Sequence, residues 1–213
     1  MVSTIKEIRA FAIKCFSGAP GSHDWYHVER VRKLCLHIAE VEGADKSALE
    51  IAAYLHDVGR HYQDQSKGRV CHAEKGAELA RPLLEGYPLS GEQKTNIIHC
   101  IRTHRFRDNH VPKTLEAKIL FDADKLDAIG AVGVGRAFLF AGEMGAKLHN
   151  STIDPEDTEA YTKEDTGYRE FKVKLSKIKD RMLTHEGRRI ALERHAFMES
   201  FFKRFLEECD GVR

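Results

Sequence analysis

The chain has 213 residues, and its 34 Lys and Arg against 33 Asp and Glu leave a formal charge of +1 with the histidines uncounted. That balance excludes the basic excess of a protein gripping duplex nucleic acid through its backbone, and the acidic excess of a solvating tail. The length predicts one domain able to bury roughly 70% of its unfolded surface, and 42% hydrophobic with 31% charged residues is a globular composition.

The N-terminal MVSTIKEIRAFAIKC is interrupted by Lys6, Glu7, Arg9 and Lys14, unlike a signal peptide, and no later stretch is long and apolar enough to span a bilayer. A soluble, cytoplasmic protein without a membrane partner is expected; homo-oligomer formation is left open. Five cysteines, odd in number and without a CxxC pair, argue against a disulfide framework and a cysteine zinc site.

Helical periodicities separated by short breakers predict an all-α fold, read as a single domain over residues 1–213 with a site core at about 22–130. The first helix is expected from Thr4 to Phe16, ended by Gly18-Ala19-Pro20-Gly21. The second starts near the candidate N-caps Ser22 or Asp24 and runs to Gly43, with His27 on the face of Val31, Leu34 and Ile38. A third, Lys46 to Val58, turns Leu49, Ala52, Ala53 and His56 inward, with Gly59 expected in a left-handed conformation at its C-terminus. A polar loop, 62–69, precedes a helix from His72 to Leu84. Further helices are expected over Ser90–Phe106, Thr114–Ile129 and Val132–Lys147. Residues 150–166 read as an acidic surface loop. Two closing helices, Tyr168–Leu183 and Glu186–Glu208, are expected to pack on the core, the last through Ile190, Phe197, Phe201 and Phe205.

Three of these apolar faces carry groups able to ligate a metal: His27, the pair His56-Asp57, and Asp124. Burying an imidazole or carboxylate costs several kcal/mol unless it is paired or coordinates an ion. Any one of them alone is better read as a hydrogen-bonded core residue. Together, two imidazoles and two carboxylates form a mixed set suited to Mn²⁺, Fe²⁺, Mg²⁺ or Zn²⁺.

The motifs Asp24-x-x-His27, His56-Asp57 in AYLHDVGR, and Asp124 in FDADKLDAIG resemble the H…HD…D signature of the HD superfamily of metal-dependent phosphohydrolases. SHDWYHVERV, CHAEKGAELA, DADKLDAIGAVGVGRAFLFAGE and RMLTHEGRRIALERHAFMESFFKRFLEE extend the resemblance over nearly the whole chain, to a compact single-domain bacterial and archaeal subgroup. It implies the HD helical fold and, as substrate class, a nucleotide, foremost a (deoxy)nucleoside triphosphate.

The resemblance implies His27, His56, Asp57 and Asp124 as ligands of one divalent ion, Mn²⁺ or Mg²⁺ with Fe²⁺, Ni²⁺ or Zn²⁺ able to occupy it. That ion would lower the pKa of a bound water and supply a hydroxide aimed at phosphorus. Asp57 is expected to hold that water, Arg60 and Lys125 to offset charge on the phosphoryl group, and Lys75 is a weaker candidate for the same work. Asp127 is expected to support the ligands, and Asp122 to point elsewhere. His72, His99 and His104 are expected to line the pocket or contact phosphate; His23 receives no role. The chain has neither an adjacent His-His pair nor a GYP motif, which favours one ion over two. Two readings stay open beside hydrolysis: a di-iron HD-type oxygenase, and a non-catalytic metal- and nucleotide-binding regulatory module. An alarmone hydrolase is disfavoured, since Val58-Gly59-Arg60-His61-Tyr62 lacks the Glu-Asp pair of that branch.

Overall fold

The computed structural model describes residues 2–16, 24–105 and 110–212, which form helices and connections with no strand among them. Helices α1 (Val2–Cys15), α2 (Trp25–Glu42), α3 (Lys46–Leu55), α4 (Arg60–Gln65), α5 (His72–Glu85), α6 (Gly91–Thr103) and α7 (Leu115–Asp127) come first. They are followed by α8 (Gly130–Glu143), a 3₁₀ turn at Pro155–Asp157, α9 (Gly167–Val173), a 3₁₀ segment at Leu175–Arg181 and α10 (His185–Cys209). The all-α expectation is met. Ser22, His23, the glycine-proline breaker at 18–21 and Phe106 lie outside the described residues.

Contacts divide the chain into two units, Met1–Asp124 and Lys125–Arg213. In the first, α3 is the centre, packed by α1, α2 and α6, while α5 packs on α6. Its ten residues KSALEIAAYL are buried from Ala48 onward except Glu50, as suits a helix covered on several sides. Asp45 caps it by accepting from Ser47 N and Ala48 N, and Asp24 caps α2 by accepting from His27 N, each such cap worth about 1 kcal/mol. The start of α2 is pinned by rings: Trp25 stacks on Tyr54 of α3 at 5.8 Å, with Arg9 of α1 5.3 Å from the Trp25 ring centre.

Two differences from the sequence reading matter for the site. Helix α3 ends at Leu55, so His56 is its C-cap and Asp57 lies in the turn that follows. Gly59 is right-handed, φ −85° and ψ −2°, and is required for space instead: a Cβ there would lie 2.3 Å from the His72 carbonyl oxygen and 2.6 Å from Gly76 N. The polar stretch after it opens as the short helix α4, which packs on α5.

The second unit joins α8, α9, the 3₁₀ segment and α10 around an aromatic cluster, in which Phe171 stacks on Phe202 at 4.7 Å and Phe138 meets Phe205 at 5.4 Å. The expected α10 stripe is shifted by one position. Ile190, Ala191, His195, Met198 and Phe202 are buried, and Phe197 is 47% exposed, because the four- and three-residue steps from Ala191 select Phe202 over Phe201. The expected closing helix at 168–183 is instead broken at Lys174 into α9 and the 3₁₀ segment. The acidic loop is tied down at its end: Arg169 donates to Asp165 Oδ1 at 2.9 Å and to the Thr158 carbonyl at 2.7 Å, and Asp165 and Thr166 are buried.

Candidate metal centre

The site lies within the first unit, where α2, the 56–59 turn, α5, α6 and α7 each present one or two side chains to a small volume. His27 comes from the first turn of α2, His72 from the first residue of α5, His104 from the C-cap of α6, and Asp124 from the third turn of α7. The N-terminus of α5 approaches the turn this closely because Gly59 has no Cβ, and His72 thereby arrives beside Asp57.

Two triads result: His27, His56 and Asp124, and Asp57, His72 and His104. In the first, His27 Nε2 is 3.3 Å from His56 Nε2 and 3.5 Å from Asp124 Oδ1. In the second, His72 Nε2 is 3.0 Å from both His104 Nε2 and Asp57 Oδ1, with His104 Nε2 3.5 Å from the same oxygen. Asp57 belongs to both, since its Oδ2 lies 3.7 Å from His27 Nε2 and 3.8 Å from His56 Nε2. All of these side chains are buried but Asp124, which is half-buried.

The donor chemistry points to cations. His56 Nδ1 donates to the Ala53 carbonyl and His104 Nδ1 to the Ile101 carbonyl, each at 2.7 Å, which leaves Nε2 of each ring facing the site as the atom able to ligate. Burial pushes His56 down to about 4, with His104 and His27 adding to the effect against the pull of Asp57. Burial likewise pushes His72 down to about 3, again against Asp57. Burial alone would raise Asp57; the Arg60 guanidinium, donating to its Oδ2 at 2.9 Å, is the main group holding it well below the carboxylate range. Asp57 Oδ1 is buried and has no hydrogen-bond partner, although His72 Nε2 is beside it. Two imidazole Nε2 atoms at 3.0 and 3.5 Å from the orphaned Oδ1, and two more at 3.7 and 3.8 Å from Oδ2, fit divalent ions of the N/O-binding kind.

The remaining sequence-predicted residues fall as follows. Arg60 is at the site through its bond to Asp57. Lys125 is half-buried, one position after Asp124 on α7. His99 is apart from both triads and accepts from Lys113 N at 2.9 Å. Lys75 pairs with Glu78 at 2.9 Å and lies 5.1 Å from the Tyr62 ring centre. Asp127 accepts from Arg136 at 2.8 Å and so supports the end of α7, while Asp122 is buried. Two residues escaped sequence reasoning. Gln63 Oε1 lies 3.0 Å from His72 Nδ1 and accepts from Arg105 Nη1 at 2.7 Å. Arg105 follows His104 directly, a signal available in the sequence, whereas a lone Gln in a polar stretch carries none. A cavity of about 400 Å³ along α5 and α6, lined by Cys71, Glu74, Lys75, Arg81 and Arg102 among others, contains none of the ligand-type residues.

Comparison with known proteins agrees with this geometry. The HD domain family model matches residues 24–129, a span that holds all six ligand-type side chains. Bacillus subtilis YpgQ is 34% identical over 212 residues, covering 97% of this chain and 94% of that protein. Among solved structures, an HD-superfamily hydrolase from Bacillus thuringiensis superposes with a TM-score of 0.77 at 31% identity, over 98% of this chain and 97% of that one. YpgQ in complex with ADP superposes with a TM-score of 0.73 at 31% identity, over 97% and 95%. With His27, His56-Asp57 and Asp124 brought to one place in a fold shared along its whole length with these proteins, the chain belongs to the HD superfamily of hydrolases.

Proposed function

We propose that this protein is a metal-dependent phosphohydrolase that cleaves a phosphoester or phosphoanhydride bond of a nucleotide, with a (deoxy)nucleoside triphosphate as its substrate. The observation that carries the reading is the convergence of neutral imidazole lone pairs and two carboxylates about Asp57, in a hydrolase fold. The nucleotide is supported by the ADP complex of YpgQ.

His27, His56, Asp57 and Asp124 hold the ion, Mn²⁺ or Mg²⁺ with Fe²⁺, Ni²⁺ or Zn²⁺ as further fits to an N/O set. When bound, the ion supplies Lewis acidity, lowering the pKa of water and polarising a phosphoryl oxygen. Asp57 stays ionised because Arg60 faces it, and Oδ1, the oxygen that Arg60 does not engage, orients the attacking water. Arg60 and Lys125 offset the charge that develops on the phosphoryl oxygens and leaving group.

A second reading of the other triad is favoured by one distance. If His72 and His104 only contacted phosphate, each would need a proton on Nε2; at 3.0 Å apart, and with His104 Nδ1 already donating to a carbonyl, they are better arranged as ligands with Asp57 for a second divalent ion. A purified His56→Ala or Asp57→Ala variant is expected to lose metal-dependent turnover; activity retained in either would overturn the assignment. Two irons per chain together with oxygen consumption would replace hydrolysis by oxygenase chemistry, and nucleotide binding without product would leave a regulatory module.

A further inference from the structure

Gln63 lies outside both triads, yet it decides what His72 offers to one of them. The Arg105 guanidinium can only donate, so the Gln63 atom 2.7 Å from it is the amide oxygen. That same oxygen faces His72 Nδ1 at 3.0 Å. Nε2 faces Asp57 Oδ1 and His104 Nε2, each at 3.0 Å. A cation seated among these three atoms takes the Nε2 lone pair, so the ring proton then sits on Nδ1, where the Gln63 oxygen accepts it. The opposite tautomer would place the Nδ1 lone pair toward Arg105, at the longer distance of 3.3 Å, and an Nε2 hydrogen into the site. Gln63 and Arg105 together thus select between a His72 that ligates and a His72 that donates.

We infer that Gln63 is a positioning residue: by accepting from His72 Nδ1 while anchored by Arg105, it fixes the tautomer in which His72 serves with Asp57 and His104 as a ligand for a second divalent cation. The inference rests on the two-ion reading of the site, and the first ion, held by His27, His56, Asp57 and Asp124, does not depend on it. Partners of this kind around a metal-bound imidazole set affinity by about 10- to 100-fold.

The test is a calorimetric titration of chelator-stripped protein with Mn²⁺, accompanied by long-range ¹H–¹⁵N spectra of His72 in the Zn²⁺-loaded protein. Wild type is expected to take two ions, with His72 protonated on Nδ1. Gln63→Leu is expected to bind the second ion about 10- to 100-fold more weakly with the first unchanged. Gln63→Glu, whose carboxylate still accepts from His72 and pairs with Arg105, is expected to restore the second ion to wild-type affinity or tighter. Equal affinity in Gln63→Leu, a Gln63→Glu variant as weak as Gln63→Leu, His72 protonated on Nε2 in the loaded protein, or a single ion in wild type would each overturn the inference while leaving metal-dependent hydrolysis intact. Failure of wild type to bind any ion would overturn the metal reading itself.

Discussion

Replacing Gly59 by alanine tests whether the site is assembled by the docking of α5 on the 56–59 turn. The new Cβ would stand 2.3 Å from the His72 carbonyl oxygen and 2.6 Å from Gly76 N. Against an ordinary carbon–oxygen contact of roughly 3.3 Å, the first approach is about 1 Å too close. Both obstacles are backbone, so no side-chain rotation relieves them, and the N-terminus of α5 must withdraw by a comparable distance. His72 is the first residue of that helix and moves with it, away from the Asp57 oxygen now 3.0 Å distant. Overpacking of this kind costs about 1–3 kcal/mol and more where backbone must shift, so a loss near 3 kcal/mol is expected, with weaker Mn²⁺ binding at the Asp57–His72–His104 triad. Urea unfolding with an unchanged m-value and Mn²⁺ titration measure the two effects. Gly135→Ala is the control: it lies inside α8, a Cβ there meets nothing within 4 Å, and a gain of about 0.5–1 kcal/mol is expected. A Gly59→Ala protein as stable as wild type and binding metal equally would refute the docking argument.

Other outcomes follow from the same geometry. The folded-state pKa values of His56 and His72 lie at about 4 and about 3, below an unfolded value near 6.5, so only the unfolded chain takes up their protons as pH falls below 6.5. Their contribution is complete above that pH, and each loses about 2 kcal/mol between pH 7 and 5. Metal-free protein should therefore be about 4 kcal/mol less stable to urea at pH 5 than at pH 7, and a flat profile would contradict the neutral-imidazole account. Asp57, held below the usual carboxylate range, keeps its contribution down to about pH 4 and adds nothing within that window. Arg60→Ala removes the cation facing Asp57; slower turnover with Mn²⁺ binding retained is expected, and Arg60→Lys should recover part of it, whereas wild-type turnover in Arg60→Ala would remove the residue from the mechanism. Arg169→Met strips Asp165 and Thr158 of their donor and is expected to cost about 3 kcal/mol and to open residues 158–165 to limited proteolysis, which an unchanged digestion pattern would contradict.

What was legible in the sequence was whatever periodicity or motif encodes. His27, His56 and Asp124 stood out because each interrupts an apolar helical face, and the three do converge. His99 lay in the same segment as His104 but five residues away, which turns it by about 140° around the helix, and it bonds to Lys113 N instead. The conformation of Gly59 was misread because a glycine after a helix ordinarily signals a left-handed cap, while its crowding by His72 and Gly76 is a tertiary fact that no local pattern carries. Phe197 was misplaced for a related reason: an aromatic at the edge of a stripe is assigned inward by spacing alone, and only the packing partner selects Phe202. Gln63 was invisible because its role is defined by His72 and Arg105, which lie 9 and 42 residues away.

Hydrolysis of a nucleotide by the residues gathered around Asp57 can be read from phosphorus NMR of the products. Purified protein is incubated with nucleoside mono-, di- and triphosphates and with Mn²⁺, Mg²⁺, Fe²⁺ or Ni²⁺ in turn. Release of pyrophosphate from a triphosphate is expected, dependent on the added ion, abolished by chelator and absent in His56→Ala. A metal-loaded wild-type protein that leaves every nucleotide intact would contradict it.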